Sequence, residues 1–173
     1  MSVNNRMFLV MIGVCAVAAG TARSAELVLA QNGRSDYRIV VAEDASPSTR
    51  HGANELQKYL KQMTGAVLPI ASDQAPLESH EIVLGNNAHL EKIRVEIEFT
   101  SLGREGYVIR TVGNHLVIAG GDLRGNMYGV YGLLEDHLGC RWFTPSVSRN
   151  TKSPWWTRSG MSKISAIAVM FAP

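Results

Sequence analysis

The sequence predicts a small α/β domain of the α+β kind, built around a single sheet, and three observations carry that reading. Short runs such as Ile39-Val40-Val41 and Leu116-Val117-Ile118 are rich in β-branched and aliphatic residues and are bounded by clusters of Gly, Asn and Ser, as strands are. Two longer stretches, one ending at Gly65 and one running from about Arg124 to His137, repeat apolar residues every three or four positions, as a helix resting on a sheet does. About 149 residues remain once an N-terminal leader is set aside, a length that suits one hydrophobic core.

The leader comes first in the chain. Met1 to Arg6 is short and positive, and Met7 to Ala19 is an almost unbroken apolar run that ends at Gly20. Ala22-Arg23-Ser24 then places small residues where a signal peptidase inspects them, so residues 1–24 are expected to be a signal peptide cut after Ser24 or Ala25. The run is too short to span a bilayer comfortably, and the residue before Cys15 is not the small one a lipidated cysteine requires. The mature protein is therefore expected to be exported, periplasmic or extracellular, and free of the membrane. Arg6 and Arg23 leave with the leader, and fifteen basic residues then face fifteen acidic ones. A neutral chain carries no electrostatic signature of nucleic-acid binding. Cys15 leaves too, so Cys140 has no internal partner and, among Leu138, Trp142 and Phe143, is expected to be a buried thiol.

In chain order, Glu26–Ala30 and Tyr37–Ala42 read as strands, and the turn-rich Gln31-Asn32-Gly33-Arg34-Ser35 between them predicts a hairpin. Ser46 or Ser48 caps the first helix, Pro47 suits its first turn, and Ala53, Leu56, Leu60 and Met63 share one face. Glu55, Gln57, Lys58, Lys61 and Gln62 cover the other, and Gly65 is the stop. Val67–Ile70 and Glu81–Leu84 read as strands. From Ala88 to Leu102 two patterns compete: a helical Ala88-His89-Leu90-Glu91-Lys92, then Ile93, Val95, Ile97 and Phe99 alternating as in a strand. Tyr107–Val112, Gly113-Asn114 and His115–Ala119 form a hairpin with a two-residue turn, its second arm apolar enough for an inner strand and His115 facing solvent.

The second helix holds Met127, Val130, Tyr131, Leu134 and Leu138 on one face and stops at Gly139. It also holds Gly125, Gly129 and Gly132, each worth about 1 kcal/mol of lost helix stability relative to alanine. Either close packing against a sheet or a neighbouring domain offsets that loss, or the helix frays. Cys140 to Pro145 adds a short aromatic strand.

Residues that carry chemistry are sparse. Ile118 to Met127 has the strand, glycine loop and helix of a phosphate site, but Asn126 and Met127 stand where a P-loop needs Lys and Ser or Thr, and Asp122 stands where a dinucleotide fingerprint needs glycine. No His-Glu-x-x-His, Cys-x-x-Cys or Gly-x-Ser-x-Gly pattern occurs, and the histidines are scattered. Glu135 and Asp136 are adjacent on a helix and point apart, so they cannot flank one glycosidic bond. No catalytic residue, cofactor or metal is expected.

Several blocks together nevertheless resemble a known family. Ala53-Asn54-Glu55-Leu56-Gln57-Lys58-Tyr59-Leu60 with Met63-Thr64-Gly65 and Leu68-Pro69-Ile70, then Ile82-Val83-Leu84-Gly85, Gly106-Tyr107-Val108-Ile109-Arg110, Gly120-Gly121, Arg124-Gly125, Tyr128-Gly129-Val130-Tyr131 and Leu133-Leu134-Glu135 are similar to the N-terminal domain of α-glucuronidase-type glycoside hydrolases. The closing block, Leu138-Gly139-Cys140-Arg141-Trp142-Phe143-Thr144-Pro145, is the most specific piece. The second domain of bacterial β-hexosaminidases is similar too. The resemblance covers about residues 26–148 and implies a mixed sheet with two helices packed on one face. It further implies a non-catalytic accessory domain that precedes a catalytic (β/α)8 barrel carrying the acid and base carboxylates. Gly125, Gly129, Trp142 and Phe143 would serve domain packing, and an apolar patch would mark the barrel's seat.

Only 28 residues follow Pro145, against roughly 250 for a barrel. Residues 149–173 depart from the family's pattern. They are read as the tail of a truncated or frame-shifted product, as a segment packed on the sheet, or as part of a free-standing carbohydrate-binding or cell-surface interaction module in which Trp155 and Trp156 stack on sugar rings. The partner is accordingly a carbohydrate or a catalytic barrel.

Overall fold

A computed structural model describes residues 27–121, 123–144, 147–150, 161–164 and 168–171, with side chains described as far as Trp142. At its centre lie strands buried on both faces: every residue of β2 (Arg38–Val41) and of β4 (Glu81–Leu84) is buried. β2 lies between β3 (Ile70–Ser72) and β4, parallel to both, and β4 runs parallel to β6 (His115–Gly120). β6 closes an antiparallel hairpin with β5 (Tyr107–Val112) through Gly113-Asn114. These five strands form the mixed sheet, and a sixth, Ala168–Phe171, pairs antiparallel along the outer edge of β5.

Two helices cover one face. The first, α1 (Pro47–Thr64), is bounded as the sequence predicts: the Ser46 hydroxyl accepts from the Thr49 N–H at 3.2 Å, Pro47 opens the first turn, and Gly65 at φ +80° donates its N–H to Lys61 O. Ala53, Leu56 and Leu60 are buried against the sheet, each leucine contributing about 1.5–3 kcal/mol. The second, α3 (Gly125–Gly132), passes into a π-helical turn at Leu133–His137 and ends before Gly139 at φ +70°. The glycines do not fray it. A Cβ on Gly125 would strike the carbonyl of Gly106 and stand 2.8 Å from Gly120 C, and one on Gly129 would stand 2.7 Å from Ile118 Cγ2. The helix lies nearer to β5 and β6 than any side chain at those positions permits, and backbone packing replaces the lost propensity.

The opposite face carries Val83, Val108, Val117 and Ala119, and the chain from 88 to 104 lies over them. α2 (Ala88–Lys92) presents Leu90, a 3₁₀ turn at Phe99–Leu102 presents Leu102, and Ile93, Val95, Ile97 and Phe99 pack half-buried between. Both competing patterns of this region are thus used, but the alternating stretch is an extended strap outside the sheet and not a strand.

Three expectations need correction. β1 (Leu27–Gln31) and β2 form no hairpin: β1 pairs antiparallel with Met161–Ile164. Gln31 and Arg34 exchange backbone bonds of 2.8 and 3.0 Å, and Ser35 then bonds Leu29 O and accepts from Tyr37 N–H, turning the chain out of register. A strand apolar on both faces fits between parallel neighbours better than in a two-stranded ribbon. The strand expected over Val67–Ile70 is displaced to Ile70–Ser72, because only there does it run beside Ile39–Val41. His115 is half-buried, not solvent-facing, and its Nδ1 is buried with no hydrogen-bond partner among the described residues.

Replacing Gly125 by alanine is expected to cost about 1–3 kcal/mol through overpacking against backbone that cannot yield, read as a lower thermal midpoint. An unchanged midpoint would show that α3 does not pack as closely as described.

Candidate functional site

Where β7 (Cys140–Thr144) begins, Trp142 stands edge-on to two rings, Tyr59 of α1 at 5.4 Å and Tyr131 of α3 at 5.3 Å, and its indole N–H donates to Tyr59 Oη at 2.8 Å. Lys58 lies 4.9 Å from the centre of the Tyr59 ring and pairs with Glu55 at 2.9 Å. Trp142 therefore binds the end of α1 to the end of α3 within the domain. The cluster is aromatic at its centre and polar at its rim. Beneath it Cys140 is a free, buried thiol 3.7 Å from Met63 Sδ, and burial pushes its pKa up to about 11. Such a thiol is inert.

A crevice of about 210 Å³ opens at the carboxyl ends of β2, β4 and β6, lined by Ser46, Thr49, Gly85, Asn86, Phe99 and Asn126 among others. Ligands of open α/β sheets bind at this place. Here the side chain of Asn126 spans it, accepting from the Gly120 N–H at 2.7 Å and donating to Thr49 Oγ1 at 3.0 Å. The Gly120 N–H at this helix entry is thus already taken.

At the amino ends of the strands lies a buried polar cluster that sequence reasoning missed. Arg38 reaches Glu81 Oε1 with Nε at 3.0 Å and Nη2 at 2.5 Å, Glu78 with Nη1 at 2.7 Å, and the carbonyl of Pro76. His89 of α2 stands 2.7 Å from the second oxygen of Glu81. The one sequence signal is that Arg38 and Glu81 interrupt apolar strands at positions the sheet places side by side. Asp73 closes the neighbouring loop, accepting from Ala88 N–H and Glu43 N–H, and these bonds hold its carboxyl below the usual range.

The residues singled out from the sequence do not converge. Gly125 and Gly129 face the chain's own sheet, and Trp142 joins the two helices. The side chain of Phe143, and Trp155 and Trp156 altogether, lie outside the described residues. Glu135 and Asp136 are exposed, and Glu135 lies 3.5 Å from Arg141. Among the described residues the exposed large apolar side chains, Val67, Leu77 and Leu123, sit on three separate loops. No group of three metal-ligating side chains converges among them, and no helix of theirs is long and apolar enough to cross a membrane.

Residues 25–133 match the family described as Glycosyl hydrolase family 67 N-terminus, in agreement with the resemblance of the sequence blocks. No curated protein matches the chain by sequence. Among solved structures the fold is similar to part of a family GH115 4-O-methyl-α-glucuronidase with specificity for decorated arabinogalactans, at 20% identity over 62% of this chain and 14% of that one, with a TM-score of 0.51. It is also similar to part of the GH20 β-N-acetylhexosaminidase from Streptomyces coelicolor A3(2), at 17% identity over 87% of this chain and 24% of that one, TM-score 0.53. A β-hexosaminidase of Streptomyces plicatus gives 17% identity, the same coverage and 0.51. At these identities the likeness is one of fold, and the chain spans a quarter or less of each of these proteins.

A thiol of pKa about 11 is ionised to about one part in a thousand at pH 8. Cys140 should therefore resist iodoacetamide in the folded protein and react promptly in denaturant, as mass spectrometry would record. Prompt labelling of the native chain would contradict its placement.

Proposed function

The chain belongs to the glycosyl hydrolase family 67 N-terminal family, and from that premise we propose that it serves carbohydrate degradation as an exported, α-glucuronidase-type accessory domain that packs against a catalytic (β/α)8 barrel. The observation that carries this reading is the family match, which spans the sheet and both covering helices. The carboxylates inside the domain favour a non-catalytic role, because Glu81 and Asp73 are consumed by bonds that hold loops together and neither faces an open cleft. A glycosidase needs two carboxyl groups flanking a bond.

The surface of α3 supports a packing role. This helix has no charged residue from Gly125 to Gly132, whereas α1 shows Arg50, Lys58 and Lys61 to solvent. Met127, Tyr128 and Tyr131 are half-buried on it and Leu123 stands exposed before it.

The test is to incubate the purified protein with aryl α-glucuronides and aryl N-acetyl-β-hexosaminides. No turnover is expected from the chain alone, and genuine turnover would overturn the accessory role. Saturable binding to a polysaccharide, abolished in the Trp155→Ala, Trp156→Ala double variant, would instead favour the free-standing carbohydrate-binding module. Export predicts a mature protein beginning at Ala25 or Glu26, and an intact Met1 on the protein recovered from cells would overturn that part.

A further inference from the structure

At the amino ends of the strands, opposite the crevice that Asn126 spans, the chain borders a larger open cleft of about 760 Å³. It is lined by β1, by the turn that follows β1, and by Tyr37, His80 and Asn114, the residues that immediately precede β2, β4 and β6. Ligand-binding clefts measure roughly 300–1,000 Å³.

The frame of this cleft is held by backbone, by hydroxyl groups and by one ring pair. Asn32 at φ +53° and Gly33 at φ +75° are both left-handed, as a primed two-residue turn requires, and Gln31 and Arg34 exchange backbone bonds of 2.8 and 3.0 Å. Ser35 Oγ donates to Leu29 O at 2.6 Å and accepts from the Tyr37 N–H at 3.0 Å. The rings of Tyr37 and His80 meet edge-on at 5.2 Å, Tyr37 Oη donates to Asn114 O at 2.8 Å, and His80 Nδ1 lies 3.0 Å from Ser79 Oγ. None of these bonds uses the side chains of Gln31, Asn32, Arg34, Asp36 or Asn114. All five are exposed on the cleft, and none has a side-chain hydrogen bond or ion pair among the described residues. Elsewhere in the domain the polar groups at a concavity or in the interior are engaged: Asn126 is bonded at both ends of its amide, and Arg38 and Glu81 bond each other and the loop beside them.

Single exposed polar side chains are ordinary on a surface, but five around one preformed concavity give it a chemical character. Three primary amides each offer donors and an acceptor, and one guanidinium is matched by one carboxylate. An anion would meet Asp36 and a cation would meet Arg34. An apolar ligand would strip water from these groups without replacing its bonds. A neutral molecule dense in hydroxyl groups suits them all, because each hydroxyl both donates and accepts.

We infer that this amino-end cleft binds a neutral oligosaccharide, with Gln31, Asn32, Arg34, Asp36 and Asn114 as its hydrogen-bonding groups and the Tyr37–His80 pair as its fixed support. The site is separate from the packing surface of α3 and needs no catalytic group, so it binds without turnover. An open polar cleft binds weakly, since the cost of immobilising the ligand is met by few contacts.

Nuclear magnetic resonance of the 15N-labelled full chain reads weak complexes residue by residue. The chain is titrated separately with short oligosaccharides of glucose, galactose, mannose, xylose and N-acetylglucosamine, and with oligogalacturonate as the acidic control. At least one neutral series should saturably shift the amide signals of Gln31, Asn32, Arg34 and Asn114 while those of Gly85 and Asn126 stay in place. The Gln31→Ala, Arg34→Ala double variant should bind that sugar about tenfold more weakly. The Trp155→Ala, Trp156→Ala variant should bind it as the wild type does, and loss of binding there would overturn the inference in favour of the tail. Equally fatal would be no saturable shift with any neutral series, shifts confined to other residues, or tighter binding of the acidic control. Should the Gln31, Arg34 variant not fold, the map on the wild type decides alone. Turnover of aryl glycosides bears on the accessory role and leaves this outcome untouched.

Discussion

Three neighbouring strands with no solvent face, β2, β4 and β6, impose the constraint from which the other features follow. A sheet buried on both sides needs two covers, and the chain makes them differently. On one side α1 and α3 supply leucine, valine and glycine surfaces. On the other a five-residue helix and an extended strap cover the remaining valines with one row of half-buried side chains. The first cover packs closely because α3 touches the sheet through glycine. The second is thin, and its anchorage depends on loop and helix contacts outside any ladder of backbone bonds.

That difference explains the charged cluster at the amino ends of the strands. Burying Glu81 and Arg38 is costly unless every donor and acceptor is met. Here Glu81 meets the guanidinium, a backbone N–H and His89, while Arg38 also reaches the loop carbonyl of Pro76 and Glu78. The polar bonds run between β2, β4, the loop from Asp73 to His80 and α2.

The proposed accessory role asks for little more than architecture. The crevice at the carboxyl ends is spanned by Asn126, and the thiol of Cys140 is buried. The outer side of α3 carries no charge from Gly125 to Gly132. Membership of a glycoside hydrolase family is thus compatible with a domain whose buried polar side chains are spent on architecture.

Features set by local chemistry were legible in the sequence. Ser46, Pro47 and Gly65 bound α1 because capping needs only the neighbouring backbone, Gly113-Asn114 marks its hairpin because a two-residue turn is a local conformation, and the conjunction of short blocks identifies the family. Close packing was foreseeable from Gly125 and Gly129, though not against which surface. Other features had no local signature. β1 leaves β2 for a strand some 130 residues further on, the Ile93 to Phe99 alternation pairs with no strand among the described residues, and Arg38, Glu81 and His89 come together from three elements. Alternation says which side chains turn inward but not which strand lies alongside, and a buried charge is tolerable only where distant groups complete its bonds. The sequence by itself therefore determined the elements, their caps and the family, while pairing partners and the buried charged cluster were decided by tertiary structure, since each is a contact between residues far apart in the chain.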